Sequence, residues 1–356
     1  MRLKLLVNRC LLTCVAALTT LSSDAFTVDG FEFAKIAYNE PGKNQVALMG
    51  VTIPDSGEVI VPSKVEYEGV EYLVTVIAYG FSNSTTLKSV VFPETIISYA
   101  ESMFYKCTSL TSVKFPDNCT EIPIGTFAYC SSLKSIELPP NIKSIRSSAF
   151  VNCTSLEEVN IPESVTVIGN GAFAFCSSLK QIHSSSVLTI EGYAFQTCTS
   201  LTNVDFPNVE TIGQYAFAHC NELKTATFGE KIKSIGNRAF KPCQKLELIT
   251  LNATTPPSAV EIPSDGIYGT FDTWNYQNTG LHVPMESIEE YKKADVWKNF
   301  FTEQDNPLTG IEGVEAEGDN EVVGWYDLYG RSVTEDYRGV VIVRYADGTT
   351  SKEVRR

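Results

Sequence analysis

Three histidines, ten cysteines and many hydroxyl side chains are the residues of this 356-residue chain with the most obvious reach into chemistry. The histidines are His183, His219 and His282. His219 adjoins Cys220, and an imidazole beside a thiol can generate a thiolate nucleophile. Neighbouring residues on a turn point apart, however, and no third group stands ready to orient the imidazole. The paired hydroxyls, as in Ser131-Ser132-Leu133 and Ser177-Ser178-Leu179, recur at a fixed place before a leucine. That is turn chemistry rather than a set of nucleophiles. There is no phosphate-binding glycine loop, Gly-x-Ser-x-Gly elbow or His-Glu-x-x-His. The acidic residues are dispersed without calcium-loop spacing, and the cysteines lack the C-x-x-C pairing of a zinc site. The expectation is no catalytic residue, no metal and no cofactor: not an enzyme.

What the cysteines do have is regularity. Cys107, Cys130, Cys153, Cys176, Cys198, Cys220 and Cys243 each follow a phenylalanine by three positions. Those phenylalanines belong to a series at 81, 104, 127, 150, 173, 195, 217 and 240, so the step is 22 or 23 residues throughout. Within one step, Ile136 and Leu138 alternate with Ser135 and Glu137, a half-buried strand. A further apolar pair, Ile142 and Ile145, precedes Ala149-Phe150. One such unit is too small to bury its own apolar side chains, whereas stacked units bury each other's flanks. The thiols are read as a buried ladder, since free cysteine behaves as a small hydrophobe. Cys119 falls outside that ladder and is read as a turn residue. A period in the twenties with leucine at fixed offsets predicts a leucine-rich solenoid: an α/β-type repeat solenoid, mostly β, of about eight repeats with a cap at each end.

The run Ile168-Gly169-Asn-Gly-Ala172-Phe173-Ala-Phe-Cys176-Ser-Ser178-Leu179 resembles the BspA-like leucine-rich repeat family, whose unit reads I-G-x-x-A-F-x-x-C-x-S-L-x-x-V-x-I-P. The resemblance covers about 79–251. It implies a bacterial surface protein associated with adhesion, including adhesion to host matrix proteins.

Around the array the composition changes. Residues 1–25 place Arg2, Lys4 and Arg9 before an apolar run and Ser23-Asp24-Ala25, the layout of a signal peptide cleaved after Ala25, with a lipoprotein signal at Leu11-Leu-Thr-Cys14 as the alternative. Residues 26–76 predict an amino-terminal β cap, with strands at 31–37, 45–52 and 58–61. A hairpin follows, 64–67 against 71–76, turning at Glu68-Gly69-Val70. The solenoid is expected over 77–253 and a carboxy-terminal cap over 254–306. That cap includes a helix near 285–299, where Ile288, Tyr291, Ala294 and Trp297 recur every third residue. Its aromatics Tyr268, Phe271, Trp274 and Tyr276 are read as packing, with a carbohydrate platform as the alternative. Residues 307–320 read as a linker and 321–356 as a short β tail. In that tail Tyr326-Asp-Leu-Tyr-Gly330-Arg331, Gly339-Val-Val-Ile-Val-Arg344 and Asp347-Gly-Thr are similar to the sorting domain of the type IX secretion system.

A net charge of −14 argues against a nucleic-acid partner, which needs a basic face. No stretch after the amino-terminal leader has the ~20 apolar residues of a membrane helix. What remains is surface. Outward strand positions form one column of Val91, Lys114, Glu137, Asn160, His183, Asp205, Thr227 and Thr250. A second column runs Ser89, Ser112, Ser135, Glu158, Gln181, Asn203, Thr225 and Leu248. They are polar and varied where the inward positions are uniform, so they are the candidate binding residues. The reading is a secreted or cell-surface protein that presents this face to a protein or glycan. A structural component of the bacterial cell envelope with no host ligand is the alternative.

Overall fold

A computed structural model describes residues 21–36, 44–259 and 269–301, together with four strands between 322 and 355. The eight phenylalanines lie in one continuous core; from Phe104 to Phe240 they stack face upon face, and Phe81 is tilted at 40° to Phe104. From Phe81 to Phe240, successive ring centroids are 5.0–5.4 Å apart. Beside them run the seven ladder cysteines, all reduced and all buried. Each thiol donates to the carbonyl of the phenylalanine one repeat earlier, as Cys153 Sγ does to Phe127 O at 3.1 Å and Cys176 Sγ to Phe150 O at 3.1 Å. The fixed slot therefore has two causes: a small apolar body fits it, and a weak donor satisfies a buried carbonyl. Cys119 is buried as well. Counted by the repeat, it stands in the column of Ile96 and Ile142, so it is a core residue and not only a turn residue.

Each repeat contributes two strands. The first column comprises Glu58–Ile60, Ser89–Val91, Ser112–Lys114, Ser135–Ile136, Glu158–Val159, Gln181–His183, Asn203–Phe206, Thr225–Phe228, Leu248–Leu251 and Gly280–His282. Its ladders are parallel and fall into three runs, broken after Ser112–Lys114 and after Glu158–Val159. This column of ten strands is longer than the about eight repeats expected, and interrupted. The second column was not expected. It contains seven parallel strands of two residues each, from Glu121–Ile122 to Ser258–Ala259. Two residues are too few to display the alternation from which a strand is read.

The sharp turns holding Phe104, Phe127, Phe150, Phe173, Phe195 and Phe217 have left-handed backbone on both sides of the ring-bearing residue. Around Phe150 these positions are Ser148 (φ 57°) and Asn152 (φ 59°). Asparagine tolerates that region, but an aromatic does not do so readily, and Phe175 stands there at φ 63°. Hydrogen bonds to the next repeat hold it, with Phe175 N–H donating to Gln196 O at 2.7 Å.

Before the repeats, β1 (Leu21–Val28), β2 (Phe31–Ile36), β3 (Gln45–Val51), β4 (Glu58–Ile60), β5 (Lys64–Tyr67) and β6 (Val70–Ile77) are present. β4 already pairs in parallel with Ser89–Val91, and the end of β6 pairs with Ser98–Tyr99. The amino-terminal segment thus feeds both strand columns. The β5–β6 hairpin turns on Glu68 (φ 52°) and Gly69 (φ 75°) alone, with Val70 in the strand. Two consecutive left-handed residues make the primed turn that matches strand twist.

At the other end the stack continues past Leu251. Phe271 lies on Phe240 at 5.5 Å with a 6° interplanar angle, and Leu281 pairs with Ile249. A short helix, α1 (Thr273–Asn278), is held by a capping box between Asp272 and Asn275. The helix expected over 285–299 is divided: a 3-10 turn at Met285–Ser287, α2 (Ile288–Lys293), extended backbone at Ala294, and a second 3-10 turn at Trp297–Phe301. Tyr291, on α2, and Trp297, opening the second 3-10 turn, are both buried. Tyr291 Oη donates to Ala253 O at 2.9 Å and Trp297 Nε1 to Pro257 O at 2.7 Å, closing the last turn.

The strands Ser332–Val333, Val322–Asp327, Gly339–Tyr345 and Thr350–Arg355 form an antiparallel sheet in that order. The expected leader residues 1–20, the linker 307–320, Tyr268 and the turn Asp347-Gly348 lie outside the described residues.

Candidate recognition face

The first strand column brings most of the candidate residues together, while Glu137 and Asn160 follow the ends of Ser135–Ile136 and Glu158–Val159, outside the paired register. Hydrogen-bonded register places Val91 beside Lys114, His183 beside Asp205, then Asp205 beside Thr227 and Thr227 beside Thr250. The neighbouring column places Ser135 beside Glu158 and Gln181 beside Asn203, which is followed by Thr225 and Leu248. Lys114, Glu137, Asn160, Glu158, Gln181, His183 and Asp205 are exposed, whereas Asn203, Thr225, Thr227 and Thr250 are half-buried. The alternation that buries Ile182, Val204, Ala226 and Ile249 turns these polar neighbours outward.

Sequence reasoning stopped short at both ends of the column. Ile60 pairs with Val91 and His282 with Thr250, so the face runs from an exposed apolar start to a half-buried histidine. Ile60, at 73% exposure, stands apart from the buried Val59 beside it. His219 is exposed at φ 61° while Cys220 is fully buried, so the suspected thiol–imidazole pair does not form. Burial pushes the Cys220 thiol well above its ordinary value, the reverse of what a nucleophile requires. Of the aromatics near the far cap, Phe271 is buried in the spine and Tyr276 packs against Phe300. Trp274 is exposed, at 37%.

Near the middle of the face a concavity of about 300 Å³ is lined by Lys134, Ser135, Glu157, Glu158, Lys180 and Gln181. Lys180 Nζ lies 2.5 Å from Glu157 Oε2. That hydrogen bond, then the charge of Lys180, holds the Glu157 carboxyl below its ordinary range and raises Lys180 correspondingly. The pair bridges two repeats on the solvent side, where an ion pair orients side chains more than it stabilises. Among the described residues, no group of three side chains could hold a metal ion, and no helix is long and apolar enough to cross a membrane. The arrangement offers hydrogen bonds and charges on a rigid parallel scaffold, and no paired nucleophile and base.

The family comparison agrees on the repeat architecture. The family described as "BspA type Leucine rich repeat region" matches in six copies over residues 68–180 and 177–263. Among solved structures, a leucine-rich repeat protein from Bacteroides ovatus is 21% identical, with 75% of this chain and 96% of that one covered at a TM-score of 0.41. A leucine-rich cell surface protein from Faecalibacterium prausnitzii is also 21% identical, covering 74% and 90% at a TM-score of 0.43. The leucine-rich repeat protein of T. pallidum is 24% identical, covering 60% and 85% at 0.41. No curated protein sequence matches the chain.

Proposed function

We propose that this chain, which belongs to the BspA-type leucine-rich repeat family, is a secreted or surface-displayed bacterial adhesion protein that holds a protein or glycan partner, a host matrix protein among the candidates, on its first strand column. The observation that carries the reading is the contrast within each repeat. The inward residues recur almost unchanged, while Lys114, Glu137, Asn160, His183 and Asp205 differ at every step and stand exposed. A scaffold that varies only where it meets solvent suits recognition. Leucine-rich repeat families are generally non-enzymatic, and this chain is proposed to follow that rule.

Export is part of the proposal. The basic start and apolar run of residues 1–25 suit a signal peptide. Cleavage after Ala25 would leave Phe26–Val28 to pair with Phe31–Phe33. The tail sheet, in turn, is proposed as a sorting domain for type IX secretion. Mass determination of the secreted protein tests the first point, with Phe26 as the expected first residue.

The face is tested by surface plasmon resonance of residues 26–356 over immobilised host matrix proteins, with the triple variant Lys114→Gln, Glu137→Gln and His183→Gln alongside. The expected result is binding that the triple variant loses without a change in thermal unfolding. Unchanged binding by the variant removes the strand face. The absence of any binding to host proteins turns the reading toward a structural component of the cell envelope.

A further inference from the structure

One stripe of the face carries a period of its own. Immediately before the first-column strands stand Lys88, Thr111, Lys134, Glu157, Lys180, Thr202, Lys224 and Glu247, one per repeat. Backbone hydrogen bonds align them in two runs, broken between Thr111 and Lys134: Thr111 N–H donates to Lys88 O, and then Glu157 to Lys134, Lys180 to Glu157, Thr202 to Lys180, Lys224 to Thr202 and Glu247 to Lys224. Lysine therefore occupies every second rung, and all four lysines are exposed. Parallel strands lie ~4.8 Å apart, so the lysine backbones repeat about every 9.6 Å along the solenoid, with the Lys180 ammonium paired to Glu157 on the preceding rung. The chain as a whole has a net charge of −14, which makes a regular cationic stripe the exception on its surface. Two of the lysines, Lys134 and Lys180, line the concavity of about 300 Å³.

We propose that this stripe binds an extended acidic peptide in the polyproline II conformation, with a carboxylate at every third residue. The proposal rests on the strand-face reading above and names its partner. Polyproline II rises about 3.1 Å per residue with three residues per turn, so every third side chain lies on one edge, about 9.3 Å from the last. The mismatch with a two-repeat step accumulates to only about 1 Å across the three intervals, within the play of a lysine side chain. A β-strand ligand presents one face every ~6.7 Å and falls out of step at the first interval. Glu157 and Glu247 occupy intermediate rungs, so a denser polyanion would meet like charge there. Polyproline II leaves its own backbone groups unpaired. The adjoining column supplies Ser112, Ser135, Gln181, Asn203 and Thr225 to meet them, interrupted by Glu158.

Fluorescence anisotropy of the full chain with a labelled peptide of repeated Glu-Pro-Pro tests this. The comparisons are a peptide of equal charge with glutamate at every second residue and a uronic-acid polysaccharide. The expected result is salt-sensitive binding that prefers the three-residue spacing. It should weaken at least about tenfold in the variant Lys88→Gln, Lys134→Gln, Lys180→Gln and Lys224→Gln. Lys143→Gln with Lys231→Gln, exposed away from the stripe, should bind as the parent does. Equal binding of both peptides, insensitivity to the four-lysine variant, or binding of the polysaccharide alone overturns the proposal. If no acidic peptide binds while a matrix partner still depends on Lys114, Glu137 and His183, the face reading survives and this one falls.

Discussion

The phenylalanine–cysteine spine and the strand face share one 22–23-residue step, but they use it in opposite ways. Along the spine the same rings and thiols recur from Phe81 to Cys243, because each fills a slot whose walls are the same residues one repeat away. Along the face almost nothing recurs but direction: Lys114, Glu137, Asn160, His183 and Asp205 share only their exposure. Interior positions are constrained by close packing on both sides. Exposed positions are constrained by whatever approaches from solvent. Stability and the proposed recognition are therefore separable in this molecule, and experiments can pull them apart.

The largest effect is expected in the middle of the spine. Phe173 is fully buried between Phe150 and Phe195, with centroids at 5.1 and 5.4 Å. Phe173→Ala should cost about 3–5 kcal/mol in urea unfolding, because the gap cannot close without moving two repeats. A cost comparable to that of a surface change would break the comparison at its root. Next comes Gly229, in the slot that elsewhere holds Pro116, Pro139 or Pro162. A Cβ there would collide with the Pro207 carbonyl, so Gly229→Ala should destabilise by roughly 1–3 kcal/mol as overpacking.

The thiols give a pH dependence. Burial pushes Cys107 and Cys119 up to about 11 and the inner ladder thiols Cys153 and Cys176 well above their ordinary value. In the unfolded chain a thiol titrates near 8.5. The stabilisation is thus complete below about pH 8.5 and declines as pH rises toward 11 and beyond. Unfolding midpoints should fall over that window, and Cys176→Ala should flatten the fall; an unchanged slope would put Cys176 outside the ladder. The smallest effect belongs to the face. Glu157→Gln removes the partner of Lys180 in full solvent and should leave the unfolding temperature unmoved while altering the salt dependence of ligand binding.

Much of this was legible because a repeat states its own register many times. Ile136, Leu138, Phe150 and Cys153 could be placed inward from spacing alone, and the same spacing turned Lys114 and Glu137 outward. The second strand column escaped because pairs such as Ser144–Ile145 are too short to alternate. Phe271 escaped because masking by a different local sequence hid its place as the next ring in the stack: here the slot three residues on is Trp274, and Asn275 reaches back to Cys243 O at 3.3 Å. The lysine stripe was visible in Leu87-Lys88, Leu133-Lys134, Leu179-Lys180 and Leu223-Lys224. It acquires meaning only once the repeats are stacked and every second rung can be measured as a distance.

Thiol labelling tests the continuous spine most directly. In the full chain with Cys10 and Cys14 replaced by serine, eight buried thiols remain: seven in the ladder, and Cys119. A thiol reagent followed across a urea titration should find all of them unreactive in the folded protein and exposed together in one cooperative step. Several thiols reacting before unfolding, or in separate steps, would mean that the repeats do not share a single interior.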